Sequence, residues 1–377
     1  MNWNKQMSYI ESIRLSNFRN YETTALSNLD GGFIVLSGPN GAGKTNLLEA
    51  ISYLSPGRGL RGAKPLDLQK ADTQNPWAVA TNLRTSFGDI KIGCGKNPEN
   101  DRRITKIQGE TIKNQTKLSE YLSCIWLTPQ MDGLFRGGAS ERRRFIDRLL
   151  LTYDPSHAGR TTRYENALSQ RAKILKDETR KPDPVWLKGL ETQMAETGVA
   201  ISAARLSFLE RLQKACHKNK GNGFPVAQIS FKGTIENNLE THPAVEVEDL
   251  FLKALEDSRH LDAVNGGASV GPHRTDLRVI YEEKKTDAYL CSTGEQKSLL
   301  IGLILAHARL LLADSGRPPI LLLDEVAAHL DETRRGALYE ILSDMGNQVW
   351  MTGTDLQAFN AISKTAQFFD VQNGQVI

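Results

Sequence analysis

The run Gly38-Pro39-Asn40-Gly41-Ala42-Gly43-Lys44-Thr45 fits the pattern G-x-x-x-x-G-K-[ST], and its flanks commit the chain to an α/β sheet. Residues 33–37 read as a strand that feeds straight into the loop. Residues 44–54 continue as a helix with Leu47, Leu48, Ile51 and Leu54 on one face. Strand, loop and helix together turn a pattern match into a phosphate site. Gly38, Gly41 and Gly43 let the backbone approach the phosphates, Lys44 supplies charge, and the Thr45 hydroxyl is placed for magnesium. A chance glycine-rich turn has no such setting.

Two distant segments extend this site. Residues 320–323 are four apolar residues followed by Asp324 and Glu325, as in a buried central strand whose carboxyl end reaches a ligand. Asp324 is placed to hold magnesium, directly or through water, and Glu325 to act as base or to orient water. Ahead of that strand, Ser292-Thr293-Gly294-Glu295-Gln296 opens a long helix and points free N–H groups and a hydroxyl at an anion. An ordinary N-cap, with Glu295 or Gln296 closing a capping box, accounts for the same residues. The distance of this turn from the Asp324 strand favours the functional reading. The three segments together resemble ABC-type ATPases, in which the middle turn of one subunit closes over phosphates held by another. The resemblance implies that Ser292 and Gly294 contact ATP bound by a partner copy. It also implies that Asp331, in the turn Ala328-His329-Leu330-Asp331, faces that partner.

At 377 residues the chain has room for two domains. Forty-seven Lys and Arg against 44 Asp and Glu give a net charge of +3, which permits a nucleic-acid partner without demanding one. Any basic surface has to come from local clustering. Cys94, Cys124, Cys216 and Cys291 are scattered, with no C-x-x-C and no histidine at metal-ligand spacing. This predicts a reduced compartment and no structural zinc. The opening residues 1–7 carry no apolar core of a signal peptide. The longest oily stretch, 299–312, is broken by His307 and Arg309 and falls short of a membrane span, so it reads as a buried helix. The reading is a cytoplasmic protein with no membrane partner.

Along the chain, residues 10–15 read as a strand and 77–112 as a small antiparallel sheet with Gly-Asp and Gly-Lys turns. Residues 122–127 form a further strand ending at Thr128-Pro129-Gln130. From 140 to about 216 the sequence is helical and charged, broken at Pro182-Asp183-Pro184. Beyond that break Leu187, Leu190, Met194, Ile201, Phe208 and Leu212 make one narrow apolar seam. The seam favours a short antiparallel helical arm over a helix in a bundle. Residues 226–233 read as a strand, 247–258 as a helix and Gly266-Gly267 as a linker. Strands at 274–281, 320–323 and 348–351 then alternate with helices at 294–313 and 331–345, and Asn373-Gly374 turns a final hairpin. The organisation is an ATPase head from 1–139 and 266–377, split by a helical arm domain at 140–265.

Some polar residues stand outside these motifs. Gln130, at a strand end, is placed to sense magnesium or water. Arg58 and Arg61, just after the first helix, are in reach of phosphate or DNA. In Glu141-Arg142-Arg143-Arg144, Arg142 and Arg143 are candidate DNA contacts, against the ordinary reading of a solvated helix face.

Several segments carry a closer resemblance. Asn17-Phe18-Arg19-Asn20-Tyr21 precedes the phosphate loop, which continues as Lys44-Thr45-Asn46-Leu47-Leu48-Glu49-Ala50-Ile51. Pro129, Gly133-Leu134, Arg142-Arg143-Arg144-Phe145-Ile146-Asp147 and Val270-Gly271-Pro272-His273-Arg274-Thr275-Asp276 follow. Together they resemble the bacterial RecF family of DNA replication and repair proteins, whose heads are similar to those of SMC and Rad50 proteins. The resemblance implies an ATP- and Mg2+-dependent homodimer on duplex DNA beside single-stranded gaps, with slow ATP hydrolysis. It implies RecR and RecO as partners and RecA as the loaded client. Two departures stand out: Gln130 replaces a glutamate of many relatives, and Thr352-Gly353-Thr354 stands where many ABC ATPases carry a histidine. A threonine donates a hydrogen bond but carries no charge. The rival readings are a transporter's nucleotide-binding subunit and an ATPase fused to a nuclease.

Overall fold

The computed structural model describes residues 8–177 and 183–377. The leader reading at 1–7, and Pro182 of the Pro182-Asp183-Pro184 break, lie outside the described residues. In chain order the elements begin with β1 (Tyr9–Phe18), β2 (Tyr21–Leu26), β3 (Phe33–Ser37), α1 (Lys44–Ser52) and β4 (Ala78–Thr85). β5 (Gly88–Lys96), β6 (Arg103–Ile107), β7 (Glu110–Thr111), β8 (Cys124–Leu127), α2 (Ala139–Tyr153), α3 (His157–Lys176) and α4 (Pro184–Lys218) follow. Next come β9 (Ala227–Lys232), α5 (Thr234–Leu239), α6 (Ala244–Asp257), α7 (Arg259–Asn265), β10 (Asp276–Tyr281) and β11 (Thr286–Asp287). The chain closes with α8 (Thr293–Ser315), β12 (Ile320–Leu323), α9 (Glu332–Met345), β13 (Val349–Gly353), β14 (Ala366–Gln372) and β15 (Gln375–Val376).

These elements pack as two compact units, each drawn from separate stretches of chain. The first takes residues up to Asp132, Asn219–Pro225 and Lys297–Ile377. Its central sheet has the order β15-β14-β3-β13-β12-β8, parallel from β14 to β8. Near-continuous apolar runs such as Phe33–Leu36 and Ile320–Leu323 are buried, as strands covered on both faces require. A second, antiparallel sheet has the order β2-β1-β4-β5-β6-β7. The strands expected at 77–112 are there, and the β1–β2 hairpin extends them. Phe18, Tyr53 and Trp77 meet edge to face, with Trp77 5.6 Å from Phe18 and 5.7 Å from Tyr53, in a core shared with Leu36, Leu47, Ile51 and Trp350. Each such fully buried side chain contributes about 1.5–3 kcal/mol. Helix α8 is long and apolar enough to cross a membrane by length and composition, yet 67% of its apolar window is buried inside the fold.

The second unit takes Gly133–Lys218 and Val226–Gln296, a wider span than the 140–265 read from sequence. Its core joins Tyr164, Leu190, Met194, Val199, Val247 and Phe251. The seam of α4 is buried along its length, from Leu187 to Leu212. Helix α3 does not cover it alone, because α5 and α6 also pack on α4. The insertion is therefore helical as expected, but α4 sits in a small bundle rather than a two-helix arm. Buried Ala195, Val199 and Ser202 widen its inner stripe beyond what one partner helix covers. Polar networks lock this bundle. Arg171 donates to Glu191 at 2.9 Å and to Asp262 at 2.8 Å, all three almost fully buried. Arg205 grips Asp147 through two bonds of 2.8 and 2.7 Å.

Candidate nucleotide-binding site

The phosphate loop takes a backbone path that side chains resist. Gly38 has φ 138°, and a Cβ there would lie 2.2 Å from the Val371 carbonyl oxygen. Gly43 has φ 122°, and its Cβ would strike the Asn20 amide and the Tyr21 hydroxyl. That crowding has a purpose visible in the hydrogen bonds. Asn20 Nδ2 donates to Ala42 O at 2.8 Å, Gly374 N to the same oxygen at 3.0 Å, and Tyr21 Oη to Gly43 O at 3.0 Å. Asn46 Nδ2 completes the brace on Asn20 Oδ1 at 2.8 Å. The loop is thus pinned from behind by the β1–β2 turn and the β14–β15 turn.

A small cavity of about 170 Å³ opens in front, lined by Asn40, Gly41, Gly43, Lys44, Thr45, Asn46, Arg61 and Glu325. Lys44 Nζ donates to Gly38 O at 2.7 Å and Pro39 O at 2.9 Å. Burial pulls its ammonium below the usual lysine range, and the charges of Glu325 and Asp324 oppose that pull. Thr45 Oγ1 donates to both oxygens of Asp324, at 2.9 and 3.0 Å. This hydroxyl–carboxylate pair is an all-oxygen donor set, which suits a hard cation such as Mg2+.

Asp324 follows β12, whose register pairs Leu323 with Leu127 of β8 and Met351 of β13. The neighbouring strand supplies its second anchor: Thr352 Oγ1 donates to Asp324 Oδ1 at 2.7 Å. The same hydroxyl accepts the Glu325 N–H at 2.9 Å. Glu325 has φ 54°, a left-handed conformation that costs a non-glycine residue about 1–3 kcal/mol and turns the chain sharply after the strand. Thr352, in the segment that departs from the histidine pattern, thus organises both carboxylate residues.

Of the other expected site residues, Arg61 lines the cavity and Arg58 is exposed outside its lining. Arg61 donates to Asn46 Oδ1 at 2.7 Å and to the fully buried Glu49 at 2.8 Å. Arg19 holds both oxygens of Glu49 at 2.8 Å, so one buried carboxylate carries two guanidinium groups. Gln130 is exposed, just past the carboxyl end of β8, and does not line the cavity. Asp331 is the N-cap of α9, accepting from Arg334 N at 2.8 Å.

Four candidates, Ser292, Gly294, Arg142 and Arg143, lie in the second unit. Ser292 forms the capping box: its N–H and hydroxyl both donate to Glu295 Oε2 at 2.8 Å. Lys284 and then Ser292 hold the Glu295 carboxyl down at about 2. Ser292, Thr293 and Gly294 remain exposed. Arg142 is committed internally, with two bonds to Asp276 at 2.7 and 2.9 Å, and Arg143 donates to Thr275 O at 2.7 Å. Neither matches the solvated helix face that their charge run suggests. The Gly-Pro-His-Arg segment is likewise a structural turn. His273 meets the Tyr164 hydroxyl at 2.6 Å and Ala268 O at 2.9 Å, and Arg205 donates to Pro272 O.

Sequence reasoning gave no role to Asn20, Tyr21, Glu49 or Arg19. The only signal was their membership of two segments, 17–21 and 44–51, that carry the family resemblance.

Known proteins place this geometry. The family model described as the RecF/RecN/SMC N terminal domain matches residues 9–376. A DNA replication and repair protein RecF of Rhizobium johnstonii is 46% identical over 370 residues, 97% of this chain and 98% of that protein. A RecF of Mesorhizobium japonicum is 46% identical over 373 residues, 98% and 97% of the two chains. Among solved structures, one described as the recombination mediator protein RecF-ATP in the RecFOR pathway superposes with a TM-score of 0.85 at 26% identity, covering 98% of this chain and 97% of that one. An Smc head bound to the winged-helix domain of ScpA, at 14% identity and a TM-score of 0.54, shares the fold. With the full length matched and the phosphate loop, Asp324 strand and helical insertion in place, the chain belongs to the RecF family of DNA replication and repair proteins.

Proposed function

We propose that this chain is an ATP-gated dimer that binds duplex DNA beside single-stranded gaps and helps RecR and RecO load RecA. The observation that carries the reading is the Thr45–Asp324–Thr352 chain of hydrogen bonds in front of a pinned phosphate loop. Relatives described as RecF-ATP and RecF-ATPrS support the nucleotide assignment. In this reading magnesium is held by Thr45 and Asp324 and supplies charge neutralisation at the phosphates. Lys44 exchanges its loop carbonyls for phosphate oxygens. Glu325 orients water, Ser292 and Gly294 of a second copy cap the γ-phosphate, and Asp331 and Gln130 meet that closed site. The ATPase is weak and serves as a switch, consistent with the uncharged segment Thr352-Gly353-Thr354 where many ABC ATPases carry a histidine. The protein works in the cytoplasm, where its DNA is.

Because each closed site takes groups from two copies, nucleotide occupancy and dimerisation are linked. Sedimentation of the Glu325→Gln variant, with and without ATP and with gapped duplex in a parallel cell, tests the reading. Doubling of mass with ATP and ATP-dependent retention of DNA are expected. A monomer in every cell overturns it. Ser292→Arg is expected to bind ATP as a monomer and to fail to dimerise.

A further inference from the structure

A concavity on the six-stranded antiparallel sheet is lined by charged groups of one sign. The register lays Ala25, Arg14, Ala80, Gly93 and Lys106 in one row across five strands. The adjacent row holds Ser12, Asn82 and Lys91. Small side chains between the cations leave a shallow concavity of about 660 Å³. Arg14, Lys91 and Lys106 are its only charged lining groups, and all three are exposed. Among the described residues, none of the three side chains has an ion-pair or hydrogen-bond partner. Glu11 and Asp89, on the same strands as Arg14 and Lys91, are paired to Arg84 at 2.6 and 3.4 Å.

We infer that this face docks the sugar–phosphate backbone of duplex DNA. The inference rests on the proposed function and names contacts that Arg142 and Arg143, bound up internally, do not provide. Three cations in a lining that holds no carboxylate complement a polyanion. A floor of Ala, Gly and Ser lets a curved backbone come close. Arg14 and Lys106 stand three inter-strand steps apart, about 14 Å, comparable to the roughly 12 Å width of a duplex major groove. The lining contains no aromatic residue, so it lacks the stacking platform on which unpaired bases are held. The face also has a route to the nucleotide site. Strand β1 runs from Arg14 into the Arg19-Asn20 turn, which braces the phosphate loop through Ala42 and grips α1 through Glu49.

The test is fluorescence anisotropy of a labelled duplex and, separately, an all-thymine single strand. The full chain is titrated with ATP present, at several salt concentrations. Wild type is compared with Arg14→Ala/Lys91→Ala/Lys106→Ala. The triple variant is expected to lose duplex affinity uniformly across sequences, and its slope of log K against log salt to shrink by about 2.7, three contacts at about 0.9 each. Should the triple variant melt early, Lys91→Glu alone carries the test, with an expected loss of about tenfold. Unchanged affinity and slope in a folded variant, while wild type binds, overturns the assignment of this face and leaves the proposed function standing. So does a variant that loses only single-strand binding. Failure of wild type to bind either DNA sinks the proposed function itself.

Discussion

Thr352 Oγ1 donates to Asp324 Oδ1 at 2.7 Å, so the carboxylate that meets Thr45 is fixed by the strand next door. The Thr352 hydroxyl oxygen also accepts the Glu325 N–H, and so holds the left-handed turn at Glu325, a residue of the cavity lining. Thr352→Val keeps the shape and removes both bonds. A hydrogen bond to a charged group is worth about 1.5–3 kcal/mol. Turnover is therefore expected to fall by about tenfold or more, with a higher Mg2+ midpoint for nucleotide binding. Thr352→Ser should restore both. Wild-type turnover and midpoint in the valine variant would refute the positioning role.

Gly38→Ala tests the loop path. Its new Cβ meets a backbone oxygen, Val371 O, at 2.2 Å, and no side-chain rotation relieves that. A loss of about 2 kcal/mol or more is expected without any nucleotide present, together with loss of ATP binding. Urea unfolding of the ligand-free protein measures it. An unchanged midpoint would mean that the loop relaxes at little cost.

Glu49 is fully buried between Arg19 and Arg61. Removing either arginine leaves one partner, so Arg19→Ala and Arg61→Ala should each cost about 1–2 kcal/mol. Removing both strands a buried carboxylate, and the double variant is expected to lose about 3–5 kcal/mol. The double-mutant cycle should thus show a loss larger than the sum. Strict additivity would indicate that water reaches Glu49 when one arginine leaves.

In the second unit, burial raises the Asp147 carboxyl, but His157 and Arg205 outweigh it and hold it down to about 2 from an ordinary 3.8. A depressed carboxyl stabilises the fold above its unfolded value and loses that contribution as pH falls through the folded value. About 2 kcal/mol should therefore disappear between pH 4 and 2. Acid titration followed by circular dichroism should show this limb, and Asp147→Asn should flatten it. An identical acid limb in the variant would assign the transition to other groups.

Much of the first unit was legible in the sequence, for physical reasons. β3 and β12 occupy the residues read from their apolar runs, because a strand buried on both faces leaves an uninterrupted pattern. The capping box at Ser292 was equally local. The β1–β2 turn was not legible: Asn17 and Arg19 adopt φ 51° and 54°, and arginine gives no compositional hint of that conformation. Its brace on Ala42 depends on two sheets bringing distant segments together. Arg142 and Arg143 looked solvated because the partner of Arg142, Asp276, lies 134 residues along the chain. The apolar seam of α4 was visible, whereas the number of helices that cover it was not, since short α5 carries little periodicity of its own.

The strand order β14-β3-β13 has a bearing on how the protein is made. On the ribosome, β3 and its glycine loop emerge long before either of the two strands that flank β3. Until then β3 is an apolar strand with two open edges, the kind of segment that pairs with other chains. The nascent chain must shelter it until β13 and β14 are made, and a product terminated before them would carry a phosphate loop with no sheet to hold it. Synthesis of those two strands is what makes the loop a site.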